Sequence, residues 1–172
     1  MLSIRPEEPG DINALDRIHR AAFGREDEGD LVRRLREADQ LIISLVATVG
    51  EHPVGHIAFS PVSPGVEGCG MEPLALGPVG VDPEHERRGI ASRLVQAGLD
   101  EARRLGVPYL AVLGEPHFYG RFGFRAVTSL GLKDPFHADA AFQAMALEGG
   151  QLPQAGSEIR YALAFDALAS EK

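Results

Sequence analysis

The run Glu86-Arg87-Arg88-Gly89-Ile90-Ala91 places two cations and a glycine just where a helical pattern begins, and that combination can hold an anion. Ile90, Leu94, Val95, Gly98, Leu99, Ala102 and Leu105 trace one helical face. The N–H groups of that helix's first turn have no partner within the helix, and they sit at the positive end of its dipole. A phosphate is favoured there, Gly89 lets the backbone approach it closely, and Arg87 and Arg88 add charge. Read alone, the same arginines are equally well solvated loop charges.

The elements that must position this loop follow from periodicity. Leu74 to Val81 reads as a strand carrying Gly77, Pro78 and Gly80. Proline cannot donate to a ladder and glycine has no side chain to pack, so this strand is either bulged and split from a neighbour or a poor edge strand. The helix closes with Arg103 and Arg104 at its negative end and Gly106 as a left-handed cap before Pro108. Tyr109 to Leu113 is a short buried strand, so the order strand, helix, strand predicts a right-handed crossover between parallel strands. Gly114 to Phe122 reads as a turn and one short helix.

Upstream, Ser3 to Arg5 is a candidate strand, and Pro9-Gly10-Asp11 a turn into a helix with Ile12, Leu15, Ile18, His19 and Ala22 in register. A second helix starts near Asp27 to Asp30 and carries Leu31, Leu35 and Ala38. Leu41 to Val49 and Val54 to Val62 form a hairpin about Gly50-Glu51-His52-Pro53, and Ser60 to Pro73 is a surface connection. Downstream, Gly123 to Leu130 reads as a strand, Asp134 to Leu147 as a helix, and Glu158 to Phe165 as a last strand after a loose Gly149 to Gly156 linker.

A chain of 172 residues with 44% hydrophobic and 24% charged residues can bury the core of one globular domain, here taken as residues 1–172. A net charge of -8 disfavours nucleic acid as the main partner. The N-terminus lacks a basic region followed by an apolar run, and no stretch approaches the length of a membrane span, so a cytoplasmic protein is expected. Cys69, the only cysteine, lies between two glycines and reads as a loop residue. The six histidines are scattered, and His52 and His56, with Pro53 and Gly55 between them, make a poor metal site; no metal is expected.

The loop ending Arg88-Gly89-Ile90-Ala91, followed after one strand by His117-Phe118-Tyr119-Gly120-Arg121-Phe122-Gly123-Phe124, resembles the GNAT N-acetyltransferases. That family's pyrophosphate loop reads Gln/Arg-x-x-Gly-x-Gly/Ala, and its later signature reads Tyr-x-x-x-Gly-Phe. Glu86 departs from the first pattern, and Arg87 compensates for its charge. Gly55 to Val62, Leu113-Gly114-Glu115-Pro116 and the tail from Arg160-Tyr161 to Phe165-Asp166 are similar to the YhbS-type subgroup, which extends the likeness over nearly the whole chain.

The resemblance implies an α/β fold with a central mixed, twisted sheet flanked by helices, two of whose parallel strands splay apart around the pantetheine arm of acetyl-CoA. It implies that backbone atoms of Val79 and Val81 hold the pantetheine, that the Gly80 region polarises the thioester carbonyl, and that Arg87, Arg88, Gly89, Ile90, Ala91 and Ser92 cradle the pyrophosphate. Tyr119 would protonate the departing CoA thiolate. The expected reaction is N-acetylation of a primary amine on a small molecule or protein by direct attack in a ternary complex. No nucleic acid or membrane takes part, and oligomeric state, a homodimer included, stays open. For the base, Glu72, Glu115, Glu26, Glu28, His117 and a water chain are all candidates. The competing reading is a module on the same fold that binds acyl-CoA without turnover. A nucleotide-binding domain or serine hydrolase is disfavoured because the Gly-x-Gly-x-x-Gly, Walker and Gly-x-Ser-x-Gly motifs are absent.

Overall fold

The computed structural model describes residues 1–165; residues 166–172 of the expected domain, with Asp166 of the tail motif, lie outside the described residues. Eight strands are described: β1 (Leu2–Pro6), β2 (Ile43–Val49), β3 (His52–Ser63), β4 (Leu74–Val81), β5 (Tyr109–Leu113), β6 (Arg125–Ala126), β7 (Phe142–Ala146) and β8 (Arg160–Tyr161). They form one mixed sheet in the order β1-β2-β3-β4-β5-β7-β6, with β8 added to the far end of β3. Only β4 and β5 run parallel. The helices are α1 (Ile12–Phe23), α2 (Asp27–Glu37), α3 (Ile90–Leu105) and the short α4 (Pro116–Gly120).

Strand alternation sorts the core into two faces. Ile43, Leu45 and Ala47 of β2, Ile57 and Phe59 of β3, and Leu74 and Leu76 of β4 pack beneath α3 through Ile90, Leu94, Leu99 and Ala102. Val46 points the other way, onto Leu15 and Ile18 of α1. Further along that second face Ala75, Tyr109, Ala111, Phe142 and Ile159 make a separate cluster under the chain that follows β5. The apolar stripes of α1 and α3 therefore clasp the sheet from opposite sides, each ending in a left-handed glycine, Gly24 and Gly106.

Beyond α4 three sequence expectations need correction. Asp134 to Leu147 is not a helix: it is irregular to Ala138, makes one 3-10 turn over Asp139–Ala141 and enters β7. Its alanines favour helix, but Phe142 and Ala144 are buried on one face and the backbone is claimed by β5 and β6 on either side, so tertiary pairing overrides propensity. The expected strand from Gly123 to Leu130 shrinks to β6, because Val127–Leu130 curls into a 3-10 turn closed by left-handed Gly131. The last strand is just Arg160–Tyr161, followed by a 3-10 turn over Leu163–Phe165. The hairpin turn is also tighter than expected, since His52 and Pro53 already pair with Val49 and Thr48, and Ser60 to Ser63 extend β3 instead of joining the connection.

Candidate functional site

The opening in the sheet originates in β4. On its β3 side Val79 lies opposite Ile57 and Leu76 opposite Phe59, so Gly77 and Pro78 together face Ala58 as a bulge. On its β5 side pairing runs from Leu74 to Leu76 opposite Leu110 to Val112 and stops there. Val79, Gly80 and Val81 are thus paired on one edge only. Glycine and proline at 77 and 78 explain why the ladder breaks there.

The chain then turns through Asp82, whose carboxylate accepts from the Glu84 N–H at 3.1 Å, and reaches α3 with Arg87 and Gly89 both left-handed, at φ 63° and 76°. Alternation of this kind curls successive N–H groups toward one concavity. The N-cap of α3, Gly89, has no side chain to cap the helix, and a Cβ built on it would point into open space. The result is a cleft of about 380 Å³ between the bulged strand, the α3 N-terminus, Ala22 and Phe23 of α1, and Phe118 of α4. Of the residues expected to bind cofactor, Val79, Gly80, Val81, Arg87, Gly89, Ile90, Ala91 and Ser92 line it, while Arg88 is exposed outside the lining.

Tyr119 stands beside this cleft on α4. Its ring packs edge-on against Phe118 and Phe124, with centroids 4.8 and 5.9 Å away, and burial pushes its phenol up to about 12. α4 is fixed by Glu115, which accepts from the N–H groups of His117 and Phe118 at 2.9 and 2.6 Å. Those two bonds hold the Glu115 carboxyl below its ordinary value and occupy both oxygens. Glu26 and Glu28 are likewise engaged, with Arg20 at 3.0 Å and Arg25 at 2.8 Å, while Glu72 and His117 are exposed.

Several groups at the site drew no role from the sequence. Arg121 donates to Ser92 Oγ at 3.1 Å and lies over the Phe118 ring at 5.0 Å, which ties α4 to the start of α3 and brings a cation beside that helix's N-terminus. His19 and His56 meet beneath Gly80: His19 Nε2 lies 2.8 Å from His56 Nδ1, and His56 Nε2 lies 2.7 Å from Ser44 Oγ. Both rings are fully buried. The available signal was positional for His19, which falls in the apolar stripe of α1, whereas β3 is buried on both faces from Val54 to Ser60 and its alternation does not single out His56. Among the described residues no three His, Cys, Asp or Glu side chains converge as metal ligands, and no helix is long and apolar enough to cross a membrane.

An Acetyltransferase (GNAT) domain family matches residues 3–127, from β1 through α4 and β6. The N-acetyltransferase YhbS of Escherichia coli K12 is 39% identical over 122 residues, 70% of this chain and 72% of that one. The structure of Escherichia coli YhbS in complex with CoA superposes with a TM-score of 0.84 at 32% identity, covering 96% of this chain and 92% of that one. A GNAT family acetyltransferase from Brucella melitensis in complex with acetyl-CoA gives 0.79 at 35% identity, covering 96% and 99%. With the bulged strand, the uncapped helix start and the mixed sheet common to one cleft, these matches establish that the chain belongs to the GNAT acetyltransferase family.

Proposed function

We propose that this chain transfers the acetyl group of acetyl-CoA to a primary amine by direct attack within a ternary complex. The observation that carries the reading is the meeting, in one cleft, of a strand edge released by the Gly77-Pro78 bulge and an α3 N-terminus that no side chain caps. The one offers backbone groups that replace a missing strand, as the amides of pantetheine require; the other offers free N–H groups and a positive dipole, as a pyrophosphate requires. Arg87 and Arg121 supplement the charge at the phosphate end. The two relatives solved with acetyl-CoA and CoA support the same ligand here.

In the reaction the amine must arrive as free base, since an alkylammonium with a pKa near 10 has no lone pair to attack with. Its nitrogen forms a bond to the thioester carbon, the carbonyl oxygen gains charge, and backbone N–H groups near Gly80 stabilise that charge. Collapse breaks the C–S bond. Tyr119, which burial keeps protonated, donates its proton to the departing thiolate, and the proton shed by the newly bonded nitrogen restores the phenol through solvent. The acceptor class follows from this chemistry: a primary amine on a small molecule or protein.

The test is release of CoA thiol from acetyl-CoA against a panel of primary amines spanning polyamines, aminoglycosides and lysine peptides. Amine-dependent release with a mass gain of one acetyl group on the acceptor is expected. Tight acetyl-CoA binding with no release against the whole panel would contradict transfer and leave a binding module on the same fold.

A further inference from the structure

At Gly80 the cleft proposed to hold acetyl-CoA is walled by the last turn of α1. Gly80 packs directly on that turn: a Cβ built on it would lie 2.9 Å from His19 Nδ1 and 3.6 Å from Ala22 Cβ. Outside β4, the loop after it and the start of α3, the cleft is lined only by Ala22, Phe23 and Phe118. Phe118 stands toward the start of α3, because Arg121 lies over its ring and donates to Ser92. Ala22 and Phe23 are therefore the groups that bound the space beside Gly80. Leu15 and Ile18 of the same helix are buried, whereas the Phe23 ring is 40% exposed.

This wall is anchored from behind. The Phe23 ring stacks on His19, with planes 14° apart and centroids 6.0 Å apart. His19 is itself buried and fixed, since its Nε2 lies 2.8 Å from His56 Nδ1 and His56 Nε2 lies 2.7 Å from Ser44 Oγ, which ties α1 to β3 and β2. Just beyond Phe23 the helix is closed by left-handed Gly24, whose N–H donates to the Arg20 carbonyl at 2.8 Å. A ring seated on a packed interior has no void behind it into which it can retreat.

We propose that Phe23, seated on His19, sets the length of acyl chain that the cleft accepts, admitting acetyl and rejecting butyryl. The proposal rests on the transfer reading above, in which the thioester carbonyl lies at Gly80. A thioester carbon is trigonal. Its sulfur leads along the pantetheine and its oxygen faces the backbone N–H groups near Gly80, so its third bond carries the acyl chain away from both. The side chains that line the cleft beside Gly80 on that reading are Ala22 and Phe23.

Ala22 contributes one methyl, so the larger Phe23 ring sets the limit. An acetyl group ends in a methyl and fits against such a wall, whereas each further methylene must displace the ring or the thioester. Displacing the ring breaks its stack on His19, and displacing the thioester moves its carbonyl off the N–H groups near Gly80. A misfitting methylene in an apolar pocket is worth roughly 10–200-fold in kcat/KM.

The test compares acetyl-CoA, propionyl-CoA and butyryl-CoA with wild type, Phe23→Leu and Phe23→Ala, in CoA release with the fastest amine of the panel and in calorimetric binding. Wild type is expected to lose about 10-fold in kcat/KM at propionyl and about 10²-fold at butyryl. Phe23→Ala is expected to bring butyryl within about threefold of acetyl, with Phe23→Leu between. Equal use of butyryl and acetyl by wild type would overturn the proposal, as would an unchanged butyryl-to-acetyl ratio in Phe23→Ala. A raised KM for the amine with that ratio unmoved would give the ring to the acceptor and overturn it too. If no amine is acetylated, the same ladder is read in binding. Butyryl-CoA held more weakly than acetyl-CoA by wild type, and recovered by Phe23→Ala, would keep the wall and remove the transfer reading; no binding of any thioester would overturn both.

Discussion

The two ends of the cleft proposed to hold acetyl-CoA are built in opposite ways. The end proposed for phosphate is one contiguous stretch, Asp82 to Ser92, that offers backbone groups and exposed charge and contains two left-handed residues, Arg87 and Gly89. Behind the other end Gly80 of β4 packs on His19 of α1 and lies opposite His56 of β3, all buried and from segments far apart in sequence, with Tyr119 of α4 proposed as the acid of the transfer. On the proposed function, cofactor affinity is expected to be local to that stretch, and turnover to depend on packing between elements. Substitutions at the first end should change Kd, and substitutions at the second should change kcat.

The largest break in that division is Gly89→Glu. A side chain at φ 76° costs about 1–2 kcal/mol in conformation, and a carboxylate there projects into the open loop where phosphate should sit. Acetyl-CoA binding measured calorimetrically should disappear while the protein stays folded by circular dichroism. Next is Tyr119→Phe, which keeps the ring against Phe118 and Phe124 and removes only the hydroxyl that carries the proton. It should lower kcat by about 10²-fold with Kd for acetyl-CoA unchanged; a wild-type kcat would remove Tyr119 from the mechanism.

A stability measurement sharpens the comparison, because only the transfer end holds buried titratable rings. His19 has its folded pKa depressed from 6.5 to about 4, so the unfolded chain binds more protons between those values. Stability is full above about pH 6.5 and is lost as pH falls toward 4, on the order of 3 kcal/mol from this group. Urea melts across that window should show the loss in wild type and a shallower one in His19→Gln. The smallest effect is expected for Arg121→Ala. This exposed cation donates to Ser92 and lies over Phe118, so its removal should weaken acetyl-CoA by about threefold without touching kcat.

The same contrast explains what could be read from sequence. α3, its left-handed cap, the parallel β4–β5 pair and the loop before α3 are encoded by neighbouring residues: the apolar face of Ile90 to Leu105, Gly106 before Pro108, and glycines and proline loading β4. Nearly all of the expected cofactor residues accordingly meet in one cleft. The His19–His56 contact joins residues 37 apart through the packing of α1 on the sheet, and no local pattern reports it. Beyond α4, Ala138 to Ala146 carries a helical composition, yet β5 and β6 impose a strand. Where pairing is settled by a distant partner, propensity misleads.

Calorimetric titration of the purified protein with acetyl-CoA, alongside CoA, ATP and NAD, tests the central claim most directly. Saturable binding of acetyl-CoA and CoA, with ATP and NAD not bound, is the predicted result. Absence of acetyl-CoA binding, or equal binding of all four, would contradict the assignment of the bulged β4 edge and the α3 N-terminus to one pantetheine-pyrophosphate ligand.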